Sequence, residues 1–236
     1  MNKPLRSYWT LVALALAGSS LFISCSKNHD ATNNPTANLL AFNLAPDKSS
    51  VGFSLSGVSL TQAGMAYASY NGNYWSITPG DKTLDAVDYN SSSSTIASTV
   101  GTFKADNFYS VFLVGNGGNH ANILVNDNID SLSSTSGLAY VRYVNAVPDS
   151  SAALNVTITS NSTNVVNEAA SFPKVSGFTG VAPGNISIAV NNGNTIDTSR
   201  TITVEQKKVY TILLVGIANS STTPFQINYI TNGSLN

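Results

Sequence analysis

The chain has 236 residues, of which 11 are basic and 12 acidic, with 42% hydrophobic residues, 10% charged and a single cysteine. Charge this sparse and this evenly split provides no electrostatic footprint for nucleic acid, which needs clustered Lys and Arg. One cysteine excludes a disulfide within the chain, so stability must come from an ordinary hydrophobic core, with Asn, Ser and Thr carrying the surface.

Lys3 and Arg6 open the chain, residues 9–23 are apolar apart from Thr10 and Gly18-Ser19-Ser20, and Cys25 follows at once. The run suits a secretory signal and falls short of the ~20 residues of a membrane span. Leu21-Phe22-Ile23-Ser24-Cys25 resembles a bacterial lipobox, where cleavage falls before a cysteine bearing a diacylglyceryl group. Residues 1–24 are read as the signal peptide, Cys25 as the lipidation site, and residues 25–36 as the lipidated start of a polar tether. Loss of Lys3 and Arg6 with the leader takes the formal net charge from −1 to −3. The expected location is the outer membrane, held by the lipid, on its periplasmic or cell-surface face.

Beyond the tether the chain is duplicated. Asn43-Leu44-Ala45-Pro46-Asp47 matches Asn145-Ala146-Val147-Pro148-Asp149 at an offset of 102, Pro79-Gly80 matches Pro183-Gly184 at 104, and residues 109–115 match 210–216 at 101. The expected units are a first repeat over 37–126, a polar linker over 127–137 and a second repeat over 138–236, each of ordinary domain size. Val51, Phe53 and Leu55 alternate with small or polar residues. So do Leu154, Val156 and Ile158, and Ile186, Ile188 and Val190. Period-two alternation marks strands with one wet face. The runs 111–114 and 212–215 are continuously apolar, as central buried strands are. Pro46 and Pro148 should end the first strand of each repeat, and each Pro-Gly pair should make a turn with positive φ at Gly. No helical period follows the leader. The pattern predicts an all-β protein of two tandem antiparallel immunoglobulin-like β-sandwich domains.

The Asn-x-x-Pro-Asp strand end, the Pro-Gly turn and the late Tyr-x-Val-x-x-Val-Gly strand resemble the domain-of-unknown-function family numbered 4397. Such domains occur in bacterial envelope and secreted proteins, often in tandem after a lipoprotein leader. The resemblance runs over residues 37–230 and implies the fold. It brings no catalytic or binding residues with it. Asn43 and Asn145 stand where many members have His.

Catalytic signals are thin. His29 lies in the tether and His120 in a Gly-Gly-Asn-rich turn, neither beside a His, Cys or acid at metal-ligand spacing. There is no Gly-x-Ser-x-Gly elbow for a hydrolase nucleophile and no phosphate-cradling loop. The acids are scattered, where glycoside hydrolysis needs two facing one cleft. Residues 126–131 space oxygens as a calcium loop does, but lack its Gly and closing Glu, and read better as a hinge. Asp130-Ser131-Leu132 makes Ser131 a candidate for O-linked glycosylation. The candidate binding surface is aromatic: Tyr67, Tyr70, Tyr74 and Trp75 crowd around Asn71-Gly72-Asn73, although Tyr74 aligns with Phe178 and part of the cluster is expected in the core. The reading is a non-catalytic envelope lipoprotein acting as an interaction or structural module, with no cofactor and no metal. The alternative is a carbohydrate-binding lipoprotein that uses the aromatic face. The expected partners are the membrane, through the lipid, and a glycan or an envelope protein.

Overall fold

Alternating apolar residues fold each repeat into nine strands. The computed structural model describes residues 34–91, 94–148 and 153–235. Cys25 and the leader lie outside them. The first copy comprises β1 (Ala37–Asn43), β2 (Val51–Leu55), β3 (Val58–Ser59), β4 (Ser69–Tyr70), β5 (Trp75–Ile77), β6 (Gly80–Asp88), β7 (Thr95–Phe103), β8 (Phe108–Asn116) and β9 (Asn119–Asn126). The second repeats the order as β10 (Ala139–Asn145), β11 (Leu154–Ser160), β12 (Thr163–Ala170), β13 (Lys174–Val175), β14 (Thr179–Val181), β15 (Gly184–Asn191), β16 (Asp197–Val204), β17 (Lys208–Val215) and β18 (Gln226–Ser234).

Each copy is a two-sheet sandwich. The outer sheets run β3-β2-β6-β7 and β12-β11-β15-β16. The inner sheets run β4-β1-β8-β9 and β13-β10-β17-β18, with β5 and β14 also paired to β1 and β10. Pairing is antiparallel except for β1 with β8 and β10 with β17, which are parallel. Period-two patterning reports burial and is blind to strand direction, so the sequence carried no sign of these pairs. The turn readings hold: β1 and β10 end at Asn43 and Asn145, and β6 and β15 begin at Gly80 (φ 110°) and Gly184 (φ 121°).

Three cores result. One lies inside the first sandwich, around Leu39, Ala41, Phe53, Leu84 and Val111. Another lies inside the second, around Val141, Tyr143, Ile158, Ile188 and Ile212. The third joins Leu40, Phe42, Leu44, Phe112 and Val114 of the first copy to Val144, Ala146, Leu213 and Val215 of the second. Successive residues of β1, β8, β10 and β17 thus face different cores. This is why those strands are apolar without alternation: the far face of each inner sheet is covered by the other repeat.

Candidate functional site

The third core is not wholly apolar. Ser110 on β8, Arg142 on β10, Thr211 on β17 and Asp127 just past β9 are buried at this junction, and Asn232 on β18 is half-buried beside them. An ion in such a place is tolerated only when paired and hydrogen-bonded throughout. Arg142 meets that demand. Its Nη1 donates to Asp127 Oδ1 at 2.6 Å, Nη2 to Ser110 Oγ at 2.8 Å and Nε to Thr211 Oγ1 at 2.9 Å. Phe178 lies against its guanidinium, 4.5 Å from Cζ to the ring centroid. Asp127 Oδ2 also accepts from Ser110 (2.8 Å) and from the Tyr74 hydroxyl (2.7 Å). Thr211 Oγ1 donates to Asn232 Oδ1 at 2.7 Å, and Asn232 Nδ2 donates back to the Tyr74 hydroxyl at 3.4 Å. The five side chains of Tyr74, Asp127, Arg142, Thr211 and Asn232 close a ring between the two repeats.

The sequence reading placed Asp127 in a polar hinge. Its side chain is instead inaccessible and tied to the second repeat. A charge inside the otherwise apolar strand Ala-Tyr-Val-Arg-Tyr-Val-Asn was the legible signal for this network, since an Arg there needs a buried partner.

The candidate aromatic residues divide between two cores. Tyr67, Tyr70 and Tyr74 pack against the third core, and Trp75 against the first. Tyr70 stacks on Phe42 at 5.6 Å, and Phe42 stacks on Phe112 at 4.6 Å. Tyr74 meets Phe108 edge-on at 5.0 Å. Burial, and after it the charge of Asp127, holds the Tyr74 hydroxyl well above the usual tyrosine range. Burial pushes Tyr67 up to about 12. The Tyr74 hydroxyl donates to a carboxylate that Arg142 and Ser110 also engage, and so ties its loop to the junction. Trp75 remains half-buried and lines a cleft of about 390 Å³ with Leu60, Thr61, Gln62 and Asn71. The Asn71 amide is spent on backbone, accepting from Ala41 N and donating to Asn73 O.

Other candidates stand apart. A cleft of about 380 Å³ opens over Arg142 and Asp127, with Asn126, Asn128, Ser131 and Phe178 on its walls. Ser131 is exposed at its rim, and its hydroxyl donates to Asn128 O. His120 Nε2 lies 2.8 Å from Asp47 Oδ1, while Asp47 Oδ2 accepts from Gly117 N. Burial works to raise the Asp47 carboxyl. The bond to His120 and the charge of that ring outweigh it and leave the carboxyl below its ordinary range. The pair clasps the Pro-Asp motif to the β8–β9 hairpin. Among the described residues no hydroxyl bonds to His120 to complete a hydrolase triad, and no group of three His, Cys, Asp or Glu could hold a metal.

Comparison with known proteins extends this. No curated protein matches the sequence. Among solved structures, a candidate cell adhesion protein of Bacteroides uniformis aligns over 83% of this chain and 98% of its own, at 9% identity and a TM-score of 0.26. Another from Bacteroides eggerthii aligns over 85% and 97%, at 10% identity and a TM-score of 0.22. At those scores the likeness establishes neither fold nor role. The model of one family matches residues 37–153 and again 139–232, the overlap containing β10, the first strand of the second copy. The chain therefore belongs to the family described as a domain of unknown function, DUF4397, and carries two copies of it.

Proposed function

We propose that this chain is a non-catalytic envelope lipoprotein, moored to the outer membrane through Cys25, whose two sandwiches act as one interaction or structural module. The observation that carries the reading is the shared third core with its buried Arg142–Asp127 pair. Domains in one chain move against each other by default unless their interface is large and apolar. Here separation would expose Phe42, Phe112, Val144 and Leu213 to water and break the Arg142–Asp127 pair. A fused pair presents its two outer sheets in a fixed relation, which suits a spacer or a docking platform. The tether sets it off the bilayer.

The test is on cells. Photo-crosslinkers placed on the outer sheets are expected to trap an envelope protein, and Cys25→Ala is expected to release the chain from the membrane pellet. A Cys25→Ala chain that stays in the pellet at its lipidated mass would end the anchoring claim. Absence of any crosslinked partner would end the platform claim. The second reading, carbohydrate binding, is favoured by Trp75 beside Thr61 and Gln62 at an open cleft. Retention on a glycan array that is lost in a folded Trp75→Ala variant would decide for it.

A further inference from the structure

Each copy must close the side where the last strand of its outer sheet meets the last strand of its inner sheet. In the first copy β7 and β9 come together along their lengths. Gly101 on β7 makes the room: a Cβ there would lie 2.3 Å from Leu124 Cδ2 on β9. In the second copy the register puts Ile202 in the place of Gly101 and Tyr229 in the place of Leu124. β16 and β18 make no comparable approach. Arg200 of β16, at the position of Thr99, spans the gap instead. Its guanidinium lies 5.1 Å from the Tyr229 ring centroid, and its Nη1 donates to the Ile227 carbonyl and, at 3.4 Å, to Asn228 Oδ1.

That carbonyl belongs to an open sheet edge. Leu214 accepts from Ala146 N, so its backbone groups turn toward β10. Ile227, opposite Leu214, then turns its own N–H and C=O away from β17, and Tyr229 does the same two residues on. The edge is nine residues long, and β18 contains no Lys, Arg, Asp, Glu or Pro, the residues that ordinarily blunt an exposed edge. Among the described residues the other long edges differ. β9 carries His120, β12 carries Glu168, β16 carries Asp197 and Arg200, and the uncharged β7 lies against β9. The cation that β18 lacks is lent to it by Arg200.

We propose that β18 is a pairing surface for the β18 of a second copy of this chain, and that Arg200 is the guard that keeps it closed. Antiparallel pairing about a two-fold axis sets the strand against its own reverse, so a charge near the axis meets its own copy, and an uncharged strand is free of that repulsion at every register. β18 meets that condition, and pairing would join two inner sheets edge to edge.

The experiment uses the processed chain without its lipid, residues 26–236, which holds all three cores. Arg200→Thr, the residue of the first copy, and Arg200→Gln are compared with wild type by light scattering and amide hydrogen exchange. Wild type is expected to stay monomeric. Both variants are expected to approach a doubled mass as concentration rises, with slowed exchange at the Ile227 and Tyr229 amides. Adding Tyr229→Pro to Arg200→Thr removes an outward N–H without touching a bond to β17, and should restore the monomer. Folded variants that stay monomeric overturn the proposal. Loss of folding in both makes Arg200 a structural tie and also overturns it. A wild-type chain already paired through β18 removes the guard.

Discussion

Leu40 and Arg142 occupy the same position in the two copies: Leu40 stands opposite Ser110 in the β1–β8 pair, and Arg142 opposite Thr211 in the β10–β17 pair. Both are buried at the junction of the repeats, one as a hydrocarbon and one as a cation. A duplicated sheet packed against its own copy could slide among similar apolar settings. A single ion pair that forms at one setting removes that freedom, which is the best-attested use of buried charge.

Arg142→Leu, which installs the residue of the first copy, leaves Asp127 buried without a counter-charge and is expected to cost about 3–5 kcal/mol. Asp127→Asn strands Arg142 and should cost a similar amount. The double variant removes both charges and places at 127 the residue type that already serves Thr211 from position 232. Its loss should be well short of the sum of the two. Urea unfolding of the four proteins checks this, and strict additivity would show that the pair does not couple the repeats.

The repeated Leu-Val-Gly strand end has a backbone cause. Gly115 and Gly216 both have φ near 110°, and a Cβ would lie 2.0 Å from Asn119 O at the first and 2.3 Å from Pro224 O at the second. The obstacles are main-chain atoms that cannot swing aside. Gly115→Ala and Gly216→Ala are each expected to lose at least about 1–3 kcal/mol of stability. Gly117→Ala is the control, because nothing lies within 4 Å of its would-be Cβ. Thermal unfolding with equal losses at Gly115 and Gly117 would remove the steric account.

These residues also mark what was legible beforehand. Alternation at Phe53 and Leu55, the Pro-Gly turns and the repeat offsets are local signals, and they place strands and copies correctly. The packing of one copy on the other is a long-range fact. Continuous apolar runs such as Phe112-Leu113-Val114 say that both faces are covered without saying by what. Asp127 reads as solvated because its neighbours Asn126 and Asn128 are exposed and polar. The match of Tyr74 with Phe178 points part of the Tyr67, Tyr70 and Tyr74 cluster inward, but sequence crowding cannot tell which core each ring packs on. The parallel direction of β1 with β8 leaves no trace in a period of two.

Asn43 and Asn145 carry more of the repeated motif than Pro and Asp suggest. Both are fully buried. Asn43 Nδ2 donates to Lys48 O at 2.8 Å and Met65 O at 3.0 Å, and its Oδ1 accepts from Ala45 N. Asn145 donates to Ala170 O and accepts from Val147 N. Each knots the strand end to the following loop. Truncation leaves buried carbonyls without donors, at about 1–3 kcal/mol for each unsatisfied group. Among the described residues Asn43→Ala orphans two carbonyls and Asn145→Ala one, so the first should cost more. Equal denaturation midpoints for the two variants would contradict that ordering.

Stability should fall at both ends of the pH scale, for opposite reasons. Asp47 lies below its ordinary range through the His120 bond, which outweighs burial, and Glu168 through its bonds to Lys174 and then Tyr143. Carboxylates lowered in the folded state contribute above their ordinary value near 4, and the contribution is lost as pH falls through the lowered values. Tyr67, Tyr74 and Tyr143 are raised, each chiefly by burial. Hydroxyls raised in this way stabilise the fold below the ordinary tyrosine value of about 10 and cease to do so as pH climbs through the folded values. Denaturant midpoints should therefore hold through neutrality and drop below about 4 and above about 10. In a phenolate absorbance titration these three tyrosines should ionise only as the fold is lost, so that absorbance and circular dichroism change together. Smooth ionisation of every tyrosine near the ordinary value, with the fold intact, would show that Tyr74 is not sealed between the repeats.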